Sequence, residues 1–407
     1  MKEKIFSFIE NSVEDMIGLE TLLTSIPALA PESGGEGELE KAIALEKWLR
    51  ANGVSDLVRM DAPDSRVASG IRPNLVATIP GKDDSQRLWI MAHLDVVPEG
   101  EHSLWHSDPW KVQVRDGKVI GRGVEDNQQG LVSSVFAALA FVKQGILPER
   151  TIKLLFVADE EVGSKFGIQY LIENYSLFRK EDLIIIPDGG NADGTEIEVA
   201  EKNICWLKVI TKGKQTHAAM PDKGSNAFLA ACDLALRIHA LETSFFTARN
   251  PLFSPDRTTI NPTKKEANVP NVNTIPGDDV FYVDMRILPE YPVATALAEL
   301  RKLADAVEQQ YAVKISFEIV QSNESRATSA DSPVVAELAR AVKSVYGVDA
   351  KPIGIGGGTV GAYIRKAGFD CVVWARMNET AHQPDESAEL ANIVGDAKVF
   401  AELAMSR

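Results

Sequence analysis

Of the six histidines in the chain, His93 and His382 stand far apart in sequence, and Asp126, Glu160, Glu161 and Asp188 lie between them. Each of these residues falls at or just beyond the end of an apolar, strand-like run. Imidazole and carboxylate are ordinary ligands of divalent cations such as zinc, and a carboxylate, having two oxygens, can bridge a pair of them. The set reads as the donor complement of a two-metal hydrolase.

In LWIMAHLDVVPEG, residues 88 to 100, an apolar run opens into His93, Leu94 and Asp95. On extended backbone residues i and i+2 share a side, so Asp95 is expected beside His93. A carboxylate accepting the second ring N–H would fix the tautomer of a ligating imidazole. In DGKVIGRGVEDNQQG, residues 116 to 130, Gly121 and Gly123 suggest a dinucleotide loop, but Asp126 stands where its third glycine belongs and would repel a pyrophosphate. An acid there suits a hard cation instead. In TIKLLFVADEEVGSKFG, residues 151 to 167, a run that reads as fully buried ends in Asp159, Glu160 and Glu161. Like charges crowded at a strand end raise one another's pKa or recruit a cation. Two adjacent glutamates suggest one ligand and one general base acting on water. DLIIIPDGGN ends another buried run in Asp188, and FDCVVWARMNETAHQPDE carries His382 on a loop before a C-terminal helix.

Taken singly, each place has a plainer reading. His93 is then a buried histidine beside an incidental acid, Asp126 the N-cap of a helix starting near Gln128, and Glu160–Glu161 a solvated acidic turn. Five strand ends of one chemical type are hard to explain as solvated loops, because ligands in open α/β sheets collect at the carboxyl ends of strands.

The elements that must position these residues alternate between strand and helix. Residues 13 to 52 read as two helices. Strands near 73–79, 88–97, 152–158 and 183–187 alternate with helices near 128–144 and 164–174, an α/β sheet, doubly wound or mixed, with helices on both faces. From about Ile204 to Ile319 the pattern becomes ICWLKVITKG, a helix over 224–241, DVFYVDMRIL, a helix over 292–310 and AVKISFEIV, a βαββαβ-like insert. The stretch 247–276, scattered with prolines and asparagines, reads as loop within that insert. The α/β pattern resumes at Ser332. Residues 1–203 and 321–407 are expected to form one discontinuous catalytic domain, and residues 204–320 an inserted one.

These segments, together with WHSDPW, THAAMPDKGSNA, MRILPE and GGGTVGAY, resemble over nearly the whole chain the M20 family of metallopeptidases. That group includes acetylornithine deacetylases, succinyl-diaminopimelate desuccinylases, aminoacylases, carboxypeptidase G2 and cytosolic dipeptidases. The resemblance implies a zinc-exopeptidase-like catalytic sheet interrupted by a ferredoxin-like α+β lid, through which two chains pair as a homodimer. It implies that His93, Asp126 and Asp188 hold one zinc and that Asp126, Glu161 and His382 hold the other, with Glu160 as base and Asp95 as orienter of His93. One departure is visible: Asn127 stands where the family often has a second acid, a change that reads as harmless to ligation.

The resemblance also assigns His217 in the insert to the active site of the other subunit, as a stabiliser of the oxyanion. It matches Asn273 and Arg286 to contacts with the substrate's carboxylate or the oxyanion. An arginine on a strand also reads as a salt-bridge partner, yet a guanidinium fork suits bidentate carboxylate binding. GIGGGTVGAY lacks the GK[ST] of a phosphate loop, so Gly357, Gly358 and Thr359 read as donors to the same carboxylate. His102, His106 and His239 read as structural or solvated, and Trp105 and Trp110 as packing their loop down. The expected reaction is hydrolysis, assisted by two divalent ions (zinc, with cobalt or manganese also suited), of an N-acyl amino acid of the N-succinyl-diaminopimelate or N-acetylornithine type. A dipeptidase or carboxypeptidase of the same family, a non-catalytic binding module and a metal-storage or transport protein are the other readings; an intact Glu160 beside all five ligands argues against the binding module, and metal storage predicts readily exchangeable metal with no turnover.

Composition agrees with this picture. A chain of 407 residues, 45% hydrophobic, can bury a large core in two domains. Its formal net charge of -15 would repel a phosphate backbone, which excludes nucleic acid as a partner. Cys205, Cys232 and Cys371 form no CxxC pair and read as buried thiols of a reducing cytoplasm. The start, MKEKIFSFIENSVEDM, has acids where an export signal needs an apolar stretch, and no run is long enough to span a membrane.

Overall fold

The computed structural model describes residues 1–406, which cluster into two compact units. The first contains residues 1–199, 328–352 and 363–406, and the second residues 200–327 and 353–362. Segment 353–362, which follows the expected return of the catalytic domain, clusters with the second unit. Lys202 N–H donates to the Ile355 carbonyl at 3.0 Å, and Arg286 Nη1 to the Gly356 carbonyl at 2.9 Å.

An eight-stranded mixed sheet runs in the order Asp56–Arg59, Leu75–Ile79, Arg150–Val157, Asp83–His93, Leu183–Asn191, Val372–Arg376, Glu196–Glu201 and Lys351–Ile355. Its four consecutive strands from Arg150–Val157 to Val372–Arg376 are mutually parallel. Seven of the eight residues of Arg150–Val157 are buried, and so is every residue from Arg87 to His93. Such runs, buried at successive positions rather than alternate ones, belong to strands covered on both faces. Helices Gly130–Gln144 and Leu390–Met405 pack against the sheet and each other. Leu131, Val135, Phe136, Ile393, Ala397 and Phe400 are all at most 1% exposed. Each large aliphatic or aromatic side chain so buried contributes roughly 1.5–3 kcal/mol.

The second unit is βαββαβ in chain order. Its strands are Asn203–Lys212, Thr259–Lys265, Asp278–Ile287 and Lys314–Asn323, with helices Ala227–Ser244 and Val293–Tyr311. The sheet places Thr259–Lys265 at one edge, then Asp278–Ile287, Asn203–Lys212 and Lys314–Asn323, with every neighbouring pair antiparallel. This is the ferredoxin-like order. Alternate residues of Asp278–Ile287 are buried, among them Phe281, Val283, Met285 and Ile287, the period of a strand with one covered face. Ala227, Ala230, Ala231, Leu234, Ile238 and Leu241 line the facing side of their helix at three- and four-residue spacing.

Three boundaries depart from the sequence reading. Strand Thr259–Lys265 lies inside the stretch read as loop. It is an edge strand whose register shifts between Pro262 and Lys264 and whose last five residues are exposed, so it has neither continuous apolarity nor a clean alternation. An additional helix, Lys2–Glu10, precedes the first one expected. The strand expected over 88–97 ends at His93, which matters for Asp95. Among the described residues no helix is long and apolar enough to cross a membrane.

Candidate metal centre

His93 closes its strand level with Val157, the last residue of the parallel neighbour. The chain beyond Val157 turns at Asp159, with φ of +67°, into a short 3-10 turn that carries Glu160 and Glu161. Strand Leu183–Asn191, on the other side of the His93 strand, bears Asp188, and Val372–Arg376 beside it leads to the loop of His382. Parallel pairing thus collects four strand ends that bear candidate ligands at one edge of the sheet. Asp126 arrives from the turn that precedes helix Gly130–Gln144. Two glycines permit that approach. At Gly123, with φ of +85°, a Cβ would sit 2.5 Å from Val96 Cγ1, and at Gly130 it would sit 2.4 Å from the Pro187 carbonyl.

The two oxygens of Asp126 face different imidazoles. Oδ1 lies 2.8 Å from His93 Nε2 and Oδ2 lies 3.1 Å from His382 Nε2. His93 Nε2 is also 3.5 Å from Asp188 Oδ1, and His382 Nε2 is 3.1 Å from Glu161 Oε2. Two three-residue donor sets follow, His93–Asp126–Asp188 and Asp126–Glu161–His382, joined at Asp126. Asp126 makes no capping bond to the following helix, whose N-cap is Gln129, so the plainer reading of it does not hold.

Asp95 meets His93 differently from the expectation. Because the strand stops at His93, the i, i+2 rule does not carry over to Asp95. His93 Nδ1 donates to the Asp95 main-chain carbonyl at 2.9 Å, while the carboxylate lies 3.5 Å away. The Asp95 carboxylate instead accepts the Glu160 and Glu161 N–H groups, each at 3.0 Å. One residue therefore fixes the ring through its backbone and the two glutamates through its side chain. Asn127 also does more than the sequence suggested. Its amide donates to Asp188 Oδ1 at 2.8 Å and to the Pro187 carbonyl at 2.6 Å, and its Oδ1 accepts the His93 N–H at 3.2 Å. An amide at 127 supplies Asp188 with a donor where a carboxylate would offer only acceptors.

The electrostatics fit a cation pair. Burial pushes Glu160 well above the usual carboxylate range, with Asp188, Glu161 and Asp95 adding to it. Burial and the Asp126 charge raise Glu161 and Asp188 as well. Burial opposes protonation of His93, yet the carboxylates of Asp188, Asp126 and Asp95 hold its pKa well above that of a free imidazole. Hydrogen bonds to Asp126 and Glu161 push His382 up to about 10. Asp126 sits far below the usual range, since the two histidines outweigh its burial. Five acids against two imidazoles leave surplus negative charge, and the buried Glu161 Oε1 has no hydrogen-bond donor. Donor separations of 2.8–3.5 Å are also what a coordination shell with bonds of about 2.0–2.2 Å demands. The residues present fit divalent cations.

The remaining sequence-predicted residues belong to the second unit. His217 is exposed on a two-residue strand paired with Thr274–Ile275, which brings Asn273 next to it, and the Asn273 carbonyl accepts the Ala218 N–H at 2.8 Å. Arg286 grips Asp284 through Nε and Nη2, at 2.7 and 3.0 Å. Beside the Gly357–Gly358 turn, Thr359 Oγ1 donates to Glu201 at 2.7 Å. Part of the guanidinium fork and the hydroxyl, both read as donors to a substrate carboxylate, thus have protein partners. His106 pairs with Asp385 at 2.5 Å, and His239 Nδ1 donates to the Ile260 carbonyl at 2.8 Å.

Sequence reasoning passed over two buried glutamates, Glu125 and Glu386, that bind the backbone of the ligand loops. Their signal was adjacency alone. Glu125 precedes Asp126, and Glu386 closes the segment that bears His382.

The sequence profile of peptidase family M20/M25/M40 matches residues 89–406. An uncharacterized metallohydrolase of Methanococcus maripaludis is 36% identical, across 97% of this chain and 100% of that protein. A succinyl-diaminopimelate desuccinylase of Wolinella succinogenes is 29% identical across 77% and 83% of the two chains. Among solved structures, aminopeptidase PepT from Bacillus cereus superposes with a TM-score of 0.77 at 18% identity, covering 97% of this chain and 98% of its own. The profile spans every residue of both donor sets, and the chain belongs to peptidase family M20/M25/M40, as a metal-dependent hydrolase of amide or peptide bonds.

Proposed function

We propose that the chain hydrolyses the amide bond of an N-acyl amino acid with a free carboxylate, of the N-succinyl-diaminopimelate or N-acetylornithine type. The observation that carries this is Asp126 facing His93 with one oxygen and His382 with the other. His93, Asp126 and Asp188 would hold one cation and Asp126, Glu161 and His382 the other. Two divalent ions so held, best matched to zinc by the imidazole and carboxylate donors and also open to cobalt or manganese, would supply polarisation of the amide carbonyl and a lowered pKa for water.

The chain's own residues do the rest. Glu160 stands beside both donor sets without belonging to either. It takes the proton of the attacking water and returns it to the leaving nitrogen. Asp95 keeps Glu160 and Glu161 in place through their N–H groups. Asn273, the main-chain N–H groups of Gly357, Gly358 and Thr359, and the N–H groups of Arg286 not directed at Asp284 or Gly356 take the carboxylate end of the substrate, and His217 takes the oxyanion across a lid-to-lid homodimer. Support for that dimer is the edge strand Thr259–Lys265 together with exposed Phe228, Leu229 and Leu236 on the neighbouring helix, an apolar surface of the kind that interfaces cover. Three free cysteines support a reducing compartment, the cytoplasm.

A dipeptidase or carboxypeptidase of the same family is the second reading, favoured by the likeness in fold to a di-peptidase of Saccharomyces cerevisiae and to a metallo-carboxypeptidase of Sulfolobus solfataricus. Turnover across N-succinyl and N-acetyl amino acids and dipeptides, with zinc, cobalt and manganese, separates the two. Cleavage of acylated amino acids over dipeptides is the expected result. The reverse preference moves the assignment to the second reading, and no turnover on either class, with metal loaded, would leave a binding module.

A further inference from the structure

Glu125 and Glu386 are 1% and 0% exposed, and neither belongs to a donor set. A carboxylate in such a place is costly unless donors surround it. Here every donor near them lies on, or beside, the two loops that carry Asp126 and His382. Glu125 departs from the Asp126 loop and reaches the His382 loop. Its Oε1 accepts the Asn378 N–H at 2.5 Å, and its Oε2 accepts the Thr380 N–H and lies 2.6 Å from Thr380 Oγ1. Glu386 departs from the His382 loop and reaches the Asp126 loop. Its Oε1 accepts the N–H groups of Glu125 and Asp126 at 2.9 and 3.0 Å, and its Oε2 accepts the Gly123 N–H at 3.0 Å and Arg122 Nη1 at 2.6 Å.

The exchange is reciprocal, and it brackets the ligands closely. Thr380 and Glu386 are fixed on either side of His382, whose own backbone takes φ of +63° and whose side chain is the only exposed one in the two donor sets. His382 itself lies outside regular structure, in the loop between strands Val372–Arg376 and Ser387–Glu389. Its position depends on the two flanking anchors, Thr380 Oγ1 also accepting the Ser387 N–H at 3.0 Å. The Asp126 N–H, in turn, is held by Glu386 itself.

We propose that Glu125 and Glu386 form a reciprocal latch that positions Asp126 and His382 for their shared cation, Glu125 acting on the His382 loop and Glu386 on both that loop and Asp126. The latch rests on the two-cation reading of the site. Both are positioning residues, since neither belongs to a donor set and all four of their carboxylate oxygens accept from the protein. The asymmetry between them is specific to the geometry. Losing Glu125 loosens the loop of a ligand used by one cation, whereas weakening Glu386 loosens Asp126, which both cations use.

The test is cobalt and zinc titration of chelator-stripped full-length protein, followed by calorimetry and by the visible spectrum of bound cobalt. Hydrogen exchange of residues 378–387 is read on the same metal-free samples. Wild type is expected to take up two ions per chain. Glu125→Ala should weaken one step by about 10- to 100-fold, the usual cost of losing an outer-shell partner, and leave the other within about threefold, with faster exchange at Asn378 and Thr380. Glu125→Gln, which retains one carbonyl acceptor, should fall between, and it serves if the alanine variant folds poorly. Glu386→Gln should weaken both steps. Two unaltered steps in Glu125→Ala, or equal weakening of both, overturns the latch while the two-cation reading stands. Fewer than two ions in wild type overturns the reading and the latch with it.

Discussion

Replacing Glu160 with glutamine removes one negative charge, with almost no change of shape, from a place where carboxylates crowd one another. Two consequences follow and they point in opposite directions. Catalysis loses its base, a loss of about 10²- to 10⁴-fold in kcat, or roughly 3–5 kcal/mol of barrier at 1.36 kcal/mol per decade. Metal-free stability should rise. Burial, Asp188, Glu161 and Asp95 raise the Glu160 pKa above its ordinary value of 4.5. A carboxyl raised in the folded state binds more protons there than in the unfolded chain. Its contribution is greatest below about pH 4.5 and is lost as pH rises through the folded value. Glutamine abolishes that loss. In chelator at pH 8 the variant should therefore unfold at a higher temperature than wild type, by about 1–2 °C for each kcal/mol of repulsion relieved. The gap should close toward pH 5. Steady-state kinetics with both ions counted, and scanning calorimetry of stripped protein at pH 5 and 8, read both effects. A variant that loses one ion would make Glu160 a ligand and reverse its division of labour with Glu161. A variant less stable than wild type at pH 8 would refute the crowding argument.

Asp396, fully buried, accepts from Tyr346 Oη at 2.8 Å and from Arg376 N–H and Gln129 Nε2 at 3.2 Å, and burial pushes its carboxyl up to about 7. With an ordinary value of 3.8, this group's contribution is complete below about pH 4 and falls by about 4 kcal/mol by pH 7. Asp396→Asn should compare better with wild type at pH 8 than at pH 4 in thermal unfolding, and an offset independent of pH would show that the carboxyl does not titrate in that window. For the dimer, equal amounts of His217→Ala and Glu160→Ala chains, allowed to exchange subunits, should regain about a quarter of wild-type activity. Half the dimers are then mixed, each with one complete site of two. No recovery despite demonstrated exchange would confine His217 to its own chain or remove it from the reaction.

The candidate ligands were legible because parallel strands buried on both faces are nearly pure in apolar residues, so an acid or histidine at their ends stands out. Arg150–Val157 running into Glu160 and Glu161, and Leu183–Ile186 running toward Asp188, are the clearest cases. The insert was legible through its alternating strand Asp278–Ile287 and its amphipathic helices. Its edge strand Thr259–Lys265 was not, because an exposed strand containing Pro262 carries no apolar period. Asp95 was assigned to His93 through its carboxylate, whereas its main-chain carbonyl makes that contact and its carboxylate holds Glu160 and Glu161, since where a strand stops depends on neighbours the local pattern does not record. Glu125, Glu386 and Asn127 escaped for a related reason. Each acts on backbone or carboxylate groups that are distant in sequence, Glu386 on residues 123–126 and Glu125 on residues 378–380, and nothing about a lone acid in a loop announces such a partner.

The claim on which the rest depends is that Asp126 is shared between two cations. Metal content per chain after dialysis against a fixed free zinc concentration, in wild type, Asp126→Ala and His382→Ala, addresses it directly. The account predicts two ions in wild type, one in His382→Ala, and depleted occupancy at both positions in Asp126→Ala, because only Asp126 faces both His93 and His382. Loss of the same single ion in both variants, or a single ion in wild type, would contradict it.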